Sequence, residues 1–179
     1  MKTQEALAMG TLVWKQPKWS SDHFELRVGR QVVGELWWTK CLSDQAVARY
    51  GGSTWVFDRP GFFRDRVVAV DHGSGAPAAS IDFDWLKDGV LVLSDGRRFS
   101  WQRTKVLGLA WGLVASNGVV VFDMELGMDG LKRQAIVRLG PGAPSLPGIG
   151  LLLCIGMYLG VCTELDTAGA LAMTAATGG

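Results

Sequence analysis

The sequence predicts a mainly β protein: a closed antiparallel barrel of about twelve strands around one C-terminal hydrophobic helix. Three observations carry that prediction. From about Gly10 to Arg138 the chain reads as short runs rich in β-branched and aromatic residues, separated by tight turns. The stretch from Pro147 to Thr163, Pro-Gly-Ile-Gly-Leu-Leu-Leu-Cys-Ile-Gly-Met-Tyr-Leu-Gly-Val-Cys-Thr, has no charged residue and is apolar on every side of a helical wheel. A helix of that kind is buried all round, by protein or by lipid. Finally, an open antiparallel sheet of ten to twelve strands curls, and closure removes its edges. An eight-stranded barrel has room only for its own side chains, but a larger one leaves a lumen. With a helix about 10 Å across, a barrel of about twelve strands fits one.

The chain has 179 residues, 48 % hydrophobic and 20 % charged, which suits one globular domain and excludes disorder. A net charge of +1 gives no global attraction to nucleic acid, so none is expected as a partner. The cysteines are Cys41, Cys154 and Cys162, an odd number with no zinc-ligand spacing. Cys154 and Cys162 lie roughly 12 Å apart along a helix, at about 1.5 Å per residue, too far for a disulfide. Reduced, structural thiols point to a reducing, cytoplasmic setting. At the N-terminus Lys2 is followed by Glu5, and Ala6 to Met9 is too short for the apolar core of a signal peptide.

Residues 1–9 read as an N-terminal arm. Thr11 to Lys15 is a first strand, stopped by Pro17. Phe24 to Val28 alternates with the period of a half-buried strand, and after a Gly29-Arg30 turn Gln31 to Trp38 returns. Ala46 to Tyr50 and Thr54 to Phe57 flank a Gly51-Gly52 turn; Phe62 to Asp71 and Ala78 to Trp85 follow, with a loop at His72 to Gly75 between them. Then come four Asx-Gly pairs, Asp88-Gly89, Asp95-Gly96, Asn117-Gly118 and Asp129-Gly130, the strongest short-range hairpin signal. They punctuate Val90 to Leu93, Arg98 to Arg103, Leu109 to Ala115, Val119 to Met124 and Leu131 to Leu139, a meander in which each strand pairs with the next. Gly140 to Pro144 is a linker. The barrel spans residues 10–165 with its helix at about 147–165, and 166–179 is a C-terminal tail. Gly150, Gly156 and Gly160 thin the helix where inward side chains crowd it.

The Asp95-Gly96 hairpin followed by Phe99-Ser100-Trp101, the Trp111 strand, the Asn117-Gly118 hairpin and the terminal helix with Leu151-Leu152-Leu153 and Tyr158-Leu159 resemble the tubby C-terminal-like superfamily. It groups tubby domains, phospholipid scramblases and LURP-one-related proteins. The resemblance covers residues 10 to 165 by order of pattern, and it implies a closed twelve-stranded barrel around a hydrophobic helix. It brings no catalytic motif. Scramblases carry an acidic calcium-binding segment near the helix; here Gly140 to Ser145 has no carboxylate, so that site does not carry over, and the proline-rich N-terminal arm of scramblases is absent.

Chemistry is sparse. Asp71-His72-Gly73-Ser74 holds the residue types of a hydrolase triad, but sequence neighbours cannot form one. Asp82 and Asp84 share a strand face and read as solvated carboxylates more readily than as metal ligands. No enzyme activity, cofactor or metal is expected. Basic residues cluster at Arg64 and Arg66, at Arg97, Arg98, Arg103 and Lys105, and at Lys132 and Arg133. If the barrel joins Arg64 and Arg66 to Arg97 and Arg98, they form a cationic patch for phosphate headgroups. Tubby domains bind phosphoinositides through such residues, so the resemblance implies the same ligand class. The expected function is thus a non-enzymatic barrel binding anionic phospholipid headgroups or a protein partner, cytoplasmic or peripheral at the membrane. A competing reading inserts the terminal helix. Its seventeen uncharged residues meet the lower length limit for a span, and Gly156 and Gly160 form a G-x-x-x-G pair. Lys132, Arg133 and Arg138 before the helix, with Glu164 and Asp166 after it, suit an N-inside orientation. An enzyme using Asp82, Asp84 or His72 is the third class.

Overall fold

The computed structural model describes residues 11–39, 44–60, 65–83, 88–105 and 109–177, with side chains through Thr167. The predicted N-terminal arm lies outside them. Twelve strands run in chain order: β1 (Thr11–Lys15), β2 (His23–Val28), β3 (Gln31–Trp38), β4 (Ala46–Tyr50), β5 (Ser53–Asp58), β6 (Arg66–Asp71), β7 (Pro77–Phe83), β8 (Gly89–Leu93), β9 (Arg98–Arg103), β10 (Ala110–Ala115), β11 (Val120–Asp129) and β12 (Lys132–Leu139). Each is antiparallel to the next, and β1 pairs with β12 from Thr11↔Arg138 to Lys15↔Gln134, which closes the barrel. A single helix, α1 (Ile149–Thr177), follows a short 3-10 turn at Ala143–Ser145.

Alternation along the strands sets what faces inward. Leu12 and Trp14 of β1, Phe24 and Leu26 of β2, Phe99 and Trp101 of β9 and Trp111 and Leu113 of β10 are all buried. These side chains line a lumen that α1 fills. Residues 149–163 of the helix are buried without a gap, so the all-round apolar pattern is met by barrel wall on every side. Each buried Leu or Ile there contributes about 1.5–3 kcal/mol of hydrophobic stabilisation. Aromatic side chains set the fit. Trp101 stacks on Trp111 at 6.1 Å, and Tyr158 of the helix stacks on Trp38 at 5.7 Å and tilts against Phe57 at 5.4 Å.

The helix glycines are contact points. A Cβ on Gly156 would stand 2.8 Å from Phe122 Cζ, one on Gly160 would stand 2.8 Å from Leu126 Cδ1, and one on Gly150 would enter the ring of Tyr50. A full side chain at these positions does not fit, and the lost helix propensity is the cost of close approach.

The helix enters beside the β8–β9 turn, where Arg97 Nη1 donates to the Pro147 carbonyl at 2.8 Å. It leaves at the opposite end, where Tyr158 Oη donates to the Asp44 carbonyl and Arg59 Nη2 to Asp166 Oδ2 at 3.0 Å. We call these the entry and exit ends. Several sequence-derived boundaries move by a residue or so, and two move further. Strand β11 runs to Asp129, so Gly130-Leu131 is a two-residue hairpin loop, and α1 continues through most of the expected tail to Thr177. Near the rim Thr163 and Thr167 satisfy their hydroxyls within the helix, donating to the Leu159 and Thr163 carbonyls at 2.9 and 2.8 Å.

Candidate functional site

The cations expected to converge stand apart. Arg66 opens β6 and Arg98 opens β9. These two strands run in opposite directions, so Arg66 lies toward the exit end and Arg98 toward the entry end. The register separates them further: Arg66 shares a row with Asp82, Val90 and Ser100, whereas Arg98 shares one with Val92, Ser80 and Val68. Arg66 Nε is 3.5 Å from Asp82 Oδ1. Arg97 is occupied at the entry end, with Nε donating to Asp95 Oδ2 at 2.8 Å besides its bond to Pro147. Arg98 is exposed on the outer wall. Arg64 lies outside the described residues. Arg66 and Arg98 are therefore not brought together: their rows lie two residues apart along the strands, with β7 and β8 between them.

A different set of cations does come together. Lys15, Arg27, Lys132 and Arg133 line a cleft of about 260 Å³ toward the exit end, with Glu25, Asp129 and Gln134 in its walls and Gln16 and Pro17 at its edge. Its floor is the outer face of β2, β1 and β12, where Lys15 stands between Glu25 and Gln134 in register. Two ion pairs order it: Lys15 Nζ to Asp129 Oδ2 at 3.4 Å, and Arg27 Nε to Glu25 Oε2 at 2.9 Å. Lys132 Nζ donates to the Pro17 carbonyl at 3.0 Å, and Arg133 Nε turns inward to Glu164 Oε2 of the helix at 3.3 Å. With Arg133 matched by Glu164, the three cations Lys15, Arg27 and Lys132 face the two carboxylates Glu25 and Asp129, which leaves one positive charge in excess. Such a cleft can hold an anion by charge-assisted hydrogen bonds. Of these residues the sequence singled out only the Lys132-Arg133 cluster. Lys15 and Arg27 are remote from it along the chain, and only the closing β1–β12 pairing supplies them.

Of the residues weighed for catalysis, Asp71 lies at an exposed turn and Asp82 on an outer strand face. Asp71 Oδ1 accepts from the Ser74 and Gly73 amides at 2.8 and 3.1 Å and from the Ser74 hydroxyl at 2.8 Å. These bonds, those from Ser74 first, hold the Asp71 carboxyl below its ordinary pKa and fix a tight turn. Asp82 points outward, 68 % exposed at the side chain, into a shallow groove with Asp88, Ser100 and Gln102. Asp84 lies outside the described residues. Among the described residues no group of three or more His, Cys, Asp or Glu side chains is placed to hold a metal. Burial pushes the Cys162 thiol up to about 11 and the Cys154 thiol further still, so neither is a thiolate near neutral pH.

The exit end also holds a buried polar cluster that sequence reasoning missed. The Arg59 side chain is 4 % exposed, and its guanidinium sits against Asp166, close to Cys162 and Tyr158. Burial opposes the charge, but the hydrogen bond with Asp166, together with the nearby Cys162, Asp166 and Tyr158, outweighs it and Arg59 remains a cation. Nothing in Asp58-Arg59-Pro60-Gly61, which reads as a turn, marks one of its side chains as buried.

No protein-family model and no curated protein matches the chain. Among solved structures it is similar to the X-ray structure of a protein from Arabidopsis thaliana. That match has 13 % sequence identity and a TM-score of 0.54, covering 88 % of this chain and 92 % of the other. At that identity the likeness is one of fold.

Proposed function

We propose that this protein is a non-enzymatic binding barrel whose exit-end cleft takes a phosphate-bearing anion, the headgroup of an anionic phospholipid in particular. The observation that carries the reading is the convergence of Lys15, Arg27 and Lys132 around one cleft with excess positive charge. The resemblance to tubby domains and scramblases supports the ligand class. Membrane insertion of the helix is the weaker reading, because 83 % of its apolar window, Ile149–Thr167, is buried inside the barrel. Pulling it out would empty the lumen. The proposed setting is therefore cytoplasmic, with peripheral attachment to a membrane.

A protein partner is the second reading, favoured by an apolar groove of about 390 Å³ on the outer wall between Val68, Val70, Pro77 and Val92.

Vesicle pelleting tests the proposal. Binding to phosphatidylserine-containing vesicles is expected at low salt, at about 1 kcal/mol per cation near the surface. It should fall steeply toward physiological salt, where the screening length is about 8 Å. Lys15→Ala combined with Arg27→Ala weakens binding and leaves the melting temperature near that of the parent, since Lys15 is exposed and the half-buried Arg27 lies on the outer wall, away from the core. Equal binding to neutral vesicles, or none at low salt, overturns the reading in favour of the protein partner.

A further inference from the structure

Large exposed apolar side chains are not spread evenly over the barrel. Trp19 is 68 % exposed, Leu131 78 %, Met128 56 % and Leu165 46 %, and all four stand at the exit end. Elsewhere among the described residues the exposed large hydrophobics are the smaller Val32, Val90, Val119 and Val120. Trp19 tips the loop joining β1 to β2, Met128 and Leu131 belong to the β11–β12 hairpin, and Leu165 sits where the helix leaves the barrel.

The two loops are held as one unit. Gln16 N donates to the Arg133 carbonyl at 3.1 Å, Arg133 N returns a bond to Gln16 Oε1 at 3.0 Å, and Lys132 Nζ reaches the Pro17 carbonyl. Their backbones are thus fixed while their apolar tips point away from the core. Each tip has a lysine beside it in sequence: Lys18 next to Trp19 and Lys132 next to Leu131. On these loops the carboxylates are Asp22 and Asp129, and Lys15 already matches Asp129. The helix leaves by the same end, and from Thr167 onward the sequence has no charged residue.

We infer that the exit end is a membrane-docking face: Trp19, Leu131 and Met128 enter the interfacial layer of an anionic bilayer while Lys18 and Lys132 meet its headgroups. The inference rests on the cleft's headgroup reading and extends it, from a phosphate held in solution to a lipid surface gripped by apolar anchors. Tryptophan is favoured at the headgroup level, where its ring meets acyl chains and its N–H stays wet. Apolar anchoring and attraction to anionic lipid reinforce one another. The shape decides between a bilayer and a protein. Exposed apolar tips on two loops, each with a lysine beside it, suit an anionic, deformable interface, whereas a protein partner would need a continuous apolar face to bury.

Two ligands separate the anchors from the cleft: mixed phosphatidylcholine–phosphatidylserine vesicles and soluble glycerophosphoserine. Trp19→Ala with Leu131→Ala is expected to lose at least about tenfold in vesicle affinity and to bind glycerophosphoserine as the parent does. Both side chains are exposed, so an unchanged melting temperature certifies the fold. Lys15→Ala with Arg27→Ala weakens both ligands. In a second readout, brominated lipids quench the fluorescence of the parent more than that of Trp19→Phe. A double alanine variant that binds vesicles as tightly as the parent overturns the docking face and leaves the cleft standing. A parent that binds neither ligand overturns both.

Discussion

The two ends of the barrel are closed by different means. At the entry end the strand connections are short: 29–30, 51–52, 72–76, 94–97 and 116–119. Glycines with positive φ make them possible, Gly51 and Gly52 at 56° and 88° supplying the two left-handed residues of a primed hairpin turn. At the exit end most connections are longer, as at 16–22, 39–45 and 59–65. There the closure comes from side chains reaching across the molecule: Tyr158 to Asp44, Arg59 to Asp166, Arg133 to Glu164. Tight glycine turns leave little side-chain surface for a ligand. Longer loops on a rigid frame offer more, which is where binding sites concentrate. The cleft and the apolar tips both lie toward the longer-looped end.

The hardest blow to that contrast is one that removes what both ends enclose. Leu152 and Ile155 are 1 % and 2 % exposed, inside the barrel. Leu152→Glu or Ile155→Glu buries a charge without a partner, a cost of several kcal/mol that rivals the stability of a whole domain. The variants are expected to be insoluble or to lack a cooperative melt by circular dichroism. A soluble variant with the parent's melting temperature would mean that the helix is not a core element.

Clamp against clamp gives a smaller effect with a direction. Asp166→Asn withdraws the carboxylate from a guanidinium whose side chain is 4 % exposed, so about 1.5–3 kcal/mol of stability should go. Arg97→Ala at the entry end removes contacts to an exposed Asp95 and to one carbonyl, and the loss should stay below about 1 kcal/mol. Urea denaturation of the two variants measures the difference. Equal losses would erase the asymmetry between the ends.

The smallest effect is a pH dependence at the entry end. Hydrogen bonds from the Arg97 side chain and amide hold the Asp95 carboxyl below its ordinary value of 3.8. A depressed folded-state pKa stabilises above the unfolded pKa, and that contribution is lost as pH falls through the folded value. Asp95→Asn should therefore melt slightly below the parent near neutral pH and converge with it in acid, below the ordinary carboxylate range. A melting difference that is constant from neutral pH down to strong acid would rule this out.

Much of the frame was legible residue by residue. Strands β1, β3, β4 and β9 have the boundaries expected from alternation and flanking turns, because period-2 patterning and glycine punctuation are local properties. Misreadings arose where a tertiary contact overrides a local one. Asp88-Gly89 is no tight turn: Asp88 Oδ1 accepts from the Arg103 amide at 3.0 Å, and Gly89 lies within β8, where a Cβ would stand 2.8 Å from the Asp82 carbonyl oxygen. Of the expected cationic patch, Arg66 and Arg98 are kept apart by register, with β7 and β8 between them, and Arg64 lies outside the described residues.

By itself the sequence determined the elements and the need to close them. Its strands alternate, its turns carry glycine where φ must be positive, and one helix without a polar face requires burial on all sides. Which side chains meet was decided by the tertiary structure alone. Arg59 and Asp166 are 107 residues apart, and Lys15 finds Asp129 across 114. Neither pairing has a local signature. Both follow from the register of the β1–β12 closure and from the direction in which the helix threads the lumen, and those are properties of the assembled barrel.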